Sequence, residues 1–520
     1  MKPNLPKALF SGLLISCLVL ASSIICLFKS GVGAVIDTAL LSLCVLAALR
    51  GATAANVALS DLFARAFISG ASTVAAYLAV LLLNNGTLST RQYFIFVLVM
   101  SVSAIAGVLF FSAVGGFFAR QGYAFPQLAP RLAVLASPGS DPKKNARLFG
   151  SAAFSALYAF VCRRLSLREF KAPGVAIPVF SNSLLYVSTG YFIGYRTWLK
   201  MLLGFGYSLV IFLLCPAASF SEHIVNPYIY SVVLAFSLVN GGFAVWGTIR
   251  KIKLPAAHQA RLRGNAFAGC VLAALLAFYG ALFGLEPTLA GLPFWVILIL
   301  LLLTIVSSLS TAIGVAETGF WFSTLDDVLP IVLIALAQIR DLPSIIFALA
   351  GFTSFEMAGI YYVINCRVGE KFSLPKRTVT CASAVSCVCA SAFAVALVRL
   401  LSMAYPLGEA EYPVPNAKVL EVTIHGLIEA LTRLTLPAYL NLPVFAAAAL
   451  LCVLLKKRKI SPMTIIGGIL LPFGAFTALG VGALLSYLLR GRQTKPSEVF
   501  SGFAIGEGLA STVLAFLRAG

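Results

Sequence analysis

Long apolar runs alternate with short polar breaks along the whole chain. The runs lie near residues 8–28, 31–49, 66–84, 92–118, 147–162, 175–194, 197–217 and 228–249. After a basic interruption they resume near 267–284, 293–314, 322–338, 342–364, 376–402, 438–456, 462–489 and 498–517. Most approach the roughly 20 apolar residues that a helix needs to cross a bilayer. The pattern predicts an all-α polytopic membrane protein of about 14–16 transmembrane segments, some broken or re-entrant. The run near 147–162 is short and basic at both ends, and reads as a half-span or a surface helix. The first run follows Lys2 and Lys7, as in a leader peptide. It continues to Phe28 without a small-residue cleavage pattern, so it is expected to be the first transmembrane helix.

Composition narrows the class. Of 520 residues 60% are hydrophobic and only 11% charged, with a mean hydropathy of +0.97. A soluble domain carries about 25% charged residues. A soluble enzyme, a disordered chain and a secreted disulfide scaffold are therefore excluded. The net charge of +20 changes the picture only through its placement. Basic residues, Arg131 among them, fall in the breaks: Lys143, Lys144 and Arg147; Arg250, Lys251 and Lys253; Arg367, Lys371, Lys376 and Arg377; Lys456 to Lys459. Basic loops stay in the cytoplasm, which puts the N-terminus there too. Connections near 84–90, 221–227, 285–292 and 405–421 are acidic or neutral and are expected to face outward. The charge thus reports topology and anionic headgroups, and no nucleic-acid partner is expected. Eleven cysteines are scattered through apolar runs as small buried residues. Three histidines are too dispersed to hold a metal, and no metal or other cofactor is expected.

The two halves look alike. Leu202–Gly206 resembles Ala504–Gly508, and each follows a Pro-bearing stretch (Pro178, Pro472) and a Gly-bearing helix (Gly190 and Gly194; Gly480 and Gly482). Ala52–Phe63 resembles Thr311–Phe322, and Phe118–Pro126 resembles Tyr362–Pro375. The expected organisation is an N-terminal membrane repeat (1–250), a basic cytoplasmic linker (251–265) and a C-terminal membrane repeat (266–520), the two repeats being parallel. Such repeats with Gly/Pro-interrupted segments are the mark of a secondary transporter, with its site at the repeat interface.

Carboxylates inside apolar runs are costly and need a partner or a water-filled cavity. They are Asp37, Asp61, Glu317, Asp326, Asp327, Glu356, Glu429 and Glu507. Glu317 lies between Gly314 and Gly319, and Glu507 between Gly506 and Gly508. Glycines there allow close approach of backbone or ligand, so the substrate is expected against broken helices around Gly314–Gly319 and Gly502–Gly508 and the Gly190–Gly206 region. Glu507 has no Lys or Arg within four residues. Glu429 stands four residues from both His425 and Arg433, the spacing of an internal pair. The expected substrate-binding residues are Glu317, Tyr191, Gly190, Gly194, Gly319, Gly506 and Gly508. Glu507 and Glu317 are the expected proton-coupling residues. No P-loop or H-E-x-x-H motif is present, so no motor or zinc-hydrolase chemistry is expected. Asp326-Asp327 leaves one alternative, an intramembrane enzyme acting on a lipid-linked substrate.

Several stretches resemble the oligopeptide transporter family. They are Phe111–Ser137, with its Phe125-Pro126 junction; Pro178–Ser208, with Gly190-Tyr191-Phe192-Ile193-Gly194 and Met201-Leu202-Leu203-Gly204; and Leu471–Leu517, with its closing Gly506-Glu507-Gly508-Leu509 helix. Gln127 stands where the family usually has Glu, and the Asn-Pro-Gly and Lys-Ile-Pro-Pro-Arg motifs of the peptide branch are missing. The resemblance therefore leans towards the yellow-stripe-like, metal-chelate branch. It implies a proton-coupled secondary importer of a metal–chelate complex or a small oligopeptide, not an enzyme. Its partners would be that small molecule, protons and the bilayer, with a homodimer left open. Short loops suggest a multi-pass protein of a bacterial inner membrane.

Overall fold

The computed structural model describes residues 4–30, 38–85, 88–114, 123, 125–139, 142–165, 167, 169–171, 178–217, 220–224, 226–250, 259–286, 289, 292–318, 334, 337, 339, 341–404, 407, 414, 417, 420–421, 424, 441–458, 460–489 and 497–519. Gly319, Asp37, Asp326, Asp327, His425, Glu429 and Arg433 lie outside them. The first half contains α1 (Leu5–Ser30), α2 (Thr38–Ala48), α3 (Ala54–Asn85), α4 (Thr90–Val114), α5 (Leu128–Ala136) and α6 (Pro142–Arg164). A two-stranded antiparallel ribbon follows, β1 (Glu169–Phe170) with β2 (Phe180–Ser181), and then α7 (Leu184–Ile193), α8 (Tyr195–Leu214), α9 (Phe220–Ile224) and α10 (Pro227–Arg250). The second half contains α11 (Gln259–Leu285), α12 (Phe294–Thr318), α13 (Leu342–Lys371), α14 (Lys376–Ala404), α15 (Leu442–Lys457), α16 (Pro462–Leu470), α17 (Phe473–Leu488) and α18 (Ser497–Ala519).

Among the described residues seven helices are long and apolar enough to cross a bilayer: α1, α4, α8, α11, α12, α13 and α14. The protein is an all-α polytopic membrane protein. Short polar side chains within these helices satisfy themselves locally, as where Thr304 and Ser308 donate to carbonyls four residues back. That makes buried hydroxyls tolerable where water is absent. The ambiguous basic-ended run is settled as α6, a 23-residue helix lying alongside α18.

Close approach at glycine positions fixes the packing. A Cβ placed on Gly107 of α4 would fall 2.1 Å from the Phe355 carbonyl oxygen of α13, and one on Gly506 of α18 would fall 2.0 Å from that of Ala152 in α6. Only glycine allows these backbones to touch. α4 and α13 run in the same direction, with Phe96 against Phe347 and Phe111 against Gly359. α3 and α13 run in opposite directions, since Asn365 donates to the Leu62 carbonyl while Tyr77 pairs with Thr353. α14 runs with α3, where Ser386 donates to the Phe63 carbonyl and Phe67 meets Phe393.

One ion pair is fully enclosed. Asp61 of α3 is 0% exposed and Arg131 of α5 is 4% exposed. The guanidinium is bonded to the Asp61 carboxylate, which also accepts from the Thr38 hydroxyl at 2.6 Å. The sequence pattern put Arg131 in a polar break. The structure buries it instead, because its α5 helix folds back against α3 and supplies the counter-charge that Asp61 requires.

Candidate functional site

Two pairs of helices meet at sharp breaks. α7 ends at Gly194, whose φ of 79° and ψ of 159° lie where side-chain-bearing residues rarely go, and α8 begins immediately after it. α16 ends at Leu471, and Pro472, with no N–H to continue the ladder, starts α17. The chain reverses at both places. α7 runs alongside α17 in the same direction, with Gly474 beside Phe180, Gly482 on Val187 and Gly194 beside Ser486. α8 then runs back along α17, from Tyr195 opposite Tyr487 to Phe212 on Phe473. α16 accompanies α8, with Gly468 on Met201 and Ser208 donating to the Ile469 carbonyl at 3.3 Å.

Short helices α7 and α16 each start on a serine, and each serine meets a glutamate. Ser183 is the N-cap of α7, its hydroxyl accepting from the Tyr186 N–H. The same hydroxyl donates to Glu507 Oε1 at 2.8 Å, and the Leu185 N–H donates to Glu507 Oε2 at 2.8 Å. Ser461 is the N-cap of α16. Its hydroxyl donates to Glu317 Oε2, which also accepts from the Thr464 hydroxyl at 3.0 Å. A helix start leaves N–H groups without partners and carries partial positive charge, so a carboxylate there is favoured. Lys456 and Lys200 lie close enough to Glu317 to act on its charge. Glu507 is 5% exposed and is held by the uncharged Ser183 hydroxyl and Leu185 N–H.

The expected site residues thus separate. Glu317, Glu507 and Gly194 belong to the broken-helix pairs. Tyr191 lies flat on Phe500, ring centres 3.9 Å apart, joining α7 to α18. Gly190 is buried against the Leu479 backbone and serves packing. The break expected at Gly502–Gly508 is absent: α18 is continuous through Gly506, Glu507 and Gly508. Glycine is needed at 502 and 506 because the Leu148 and Ala152 carbonyls press on those positions. Likewise α12 is helical through Gly314 as far as Thr318. The sequence reading missed Ser183, Ser461 and Thr464. A serine ahead of a short apolar helix is an N-cap signal, yet nothing local tells that a glutamate 324 residues away will reach it.

Comparison with known proteins agrees with this architecture. A family model described as OPT oligopeptide transporter protein matches residues 230–518. No curated protein matches the chain. The matched region is more than half of the sequence and takes in both α12 with Glu317 and α18 with Glu507, so the chain belongs to the oligopeptide transporter family.

Proposed function

We propose that the protein is a proton-coupled importer of a metal–chelate complex or small oligopeptide, with its substrate held between the two broken-helix pairs. Membership of the family makes it a membrane transporter of oligopeptides or related molecules, and nothing favours the enzyme alternative. The observation that carries the finer reading is the pair of intramembrane carboxylates, Glu317 and Glu507, each on the start of a short helix. A carboxylate held by hydroxyl and amide donors can take up a proton and let go of them, so protonation and helix position are coupled. Gly194 is assigned to the same region, while Gly190 packs on the Leu479 backbone and Tyr191 stacks on Phe500 beside it. The metal-chelate preference rests on Gln127 and the missing peptide-branch motifs. Basic loops support a cytoplasmic N-terminus in a bacterial inner membrane.

Uptake into proteoliposomes under an inward proton gradient tests this, with a labelled ferric chelate and a labelled tetrapeptide as competing substrates. Glu507→Gln keeps the size of the side chain but cannot ionise. It should leave substrate exchange intact and abolish accumulation driven by the gradient. Undiminished accumulation would make Glu507 structural and move coupling to Glu317. Turnover of either substrate without accumulation would sink the transporter reading.

A further inference from the structure

The two broken-helix pairs correspond residue by residue. An offset of 278 positions (461 − 183) carries Ser183 to Ser461, Gly190 to Gly468, Gly194 to Pro472 and Gly204 to Gly482. Their contacts follow the same offset. A Cβ on Gly190 would lie 1.9 Å from the Leu479 oxygen, and one on Gly468 would lie 1.9 Å from that of Met201. A Cβ on Gly204 would lie 1.9 Å from the Ile465 oxygen, and one on Gly482 would lie 1.8 Å from that of Val187. Met201 and Leu479 differ by this offset, and so do Val187 and Ile465. Chance resemblance between apolar helices does not reproduce reciprocal contacts. Other pairs exchange in the same manner: α4 on α13 answers α14 on α3, and α18 on α6 answers α10 on α15.

Direction decides the kind of symmetry. α7 runs with α17, α17 runs against α8, and α8 runs with α16, so the equivalent helices α7 and α16 point opposite ways. α3 and its equivalent α13 also run oppositely. Two elements pointing in opposite directions are exchanged by a twofold axis perpendicular to them, which for membrane helices lies in the membrane plane.

We propose that the chain is built of two inverted repeats, α1–α10 and α12–α18 joined by α11, in place of the parallel relation expected from the sequence, and that the equivalent N-caps Ser183 and Ser461, holding Glu507 and Glu317 from non-equivalent helices, form two latches opening towards opposite faces. The latch function rests on the transporter reading; the symmetry does not. Both latches are closed in this structure. Inverted repeats that adopt two unlike conformations can exchange them, and each exchange turns an outward-open molecule into an inward-open one. One latch would then be released in each open state. The Glu317 latch, beside Lys456, opens towards the basic face and the Glu507 latch towards the other.

Impermeant maleimide labelling tests both parts in cells, without substrate, in a chain whose native cysteines are replaced. For the symmetry, single cysteines are placed at Pro216 and Ala217 beyond α8, and at Leu488 and Leu489 ending α17. These positions should label from opposite faces, whereas labelling of both sets from one face would overturn the inversion. For the latches, Leu185→Cys and Met463→Cys report on the first turns of α7 and α16. Ser183→Ala should raise labelling of the first reporter from one face, and Ser461→Ala that of the second from the other, each by about tenfold for a lost charge-assisted hydrogen bond. Unchanged labelling, or a rise from the same face in both, would overturn the latches. A failed transporter reading would show separately, as absent uptake with these labelling patterns intact.

Discussion

Asp61 and Arg131 meet inside the protein with almost no exposed surface, and removing either one strands the other charge. Breaking a buried pair from one side costs about 3–5 kcal/mol, whereas replacing both partners with neutral groups of similar size is far milder. Arg131→Met should therefore sharply lower the melting temperature of the detergent-purified protein, and Asp61→Asn should do the same. The double variant should recover most of the loss, because the remaining amide still accepts from the Thr38 hydroxyl. Equal losses in single and double variants would mean that Arg131 serves something other than Asp61. The carboxylates were legible in the sequence, since an acid within an apolar run stands out. Their partners were not. Arg131 lies 70 residues from Asp61 and Ser183 lies 324 from Glu507, so only the fold brings them together.

At the scale of the element, glycine plays two roles that look the same in sequence. Gly204 and Gly206 are near neighbours in α8. A Cβ on Gly204 would strike the Ile465 carbonyl, while one on Gly206 would meet nothing within 4 Å. Gly206→Ala should accordingly be neutral or stabilising by about 0.5–1 kcal/mol, the ordinary gain of alanine within a helix. Gly204→Ala should force α8 and α16 apart and lower both thermal stability and uptake. Equal effects at the two positions would show that α8 and α16 do not pack as described. The same ambiguity explains why a break was expected around Gly506 and Gly508, where α18 is continuous, while the break at Gly194 falls within the Gly190–Gly206 stretch that was singled out with it. Glycine permits a break, but it equally permits two helices to touch, and Gly506 is used in the second way. Proline is less equivocal, and the stretch around Pro472 was recognisable beforehand as interrupted.

Across the whole molecule, helix direction and loop charge can be tested against each other. Following α3, α4, α13 and α14 through their packing, the start of α3 and the ends of α4 and α13 share one side, since Lys376 donates to the Ser112 carbonyl and Arg399 reaches Thr90 at the other end. The first side carries Lys7, Arg50, Arg367, Lys371, Lys376 and Arg377; the second carries the Ser89 turn and Glu286, which pairs with Arg91. A basic excess of this kind holds loops in the cytoplasm. Arg163 and Arg164, at the far end of α6 from Lys143 and Lys144, run against the trend. The rule concerns the balance over all loops, so they weaken the bias without reversing it. Single cysteines at Lys143, Lys376 and Lys457 should therefore resist an impermeant maleimide in intact cells and react after permeabilisation. One at Ser89 should react at once. Labelling of the first three from outside, with Ser89 protected, would invert the orientation and with it the faces assigned to the Glu317 and Glu507 ends of the broken helices. The relation between the two ends would survive, because it depends on the opposite directions of α7 and α16 and not on which side is the cytoplasm.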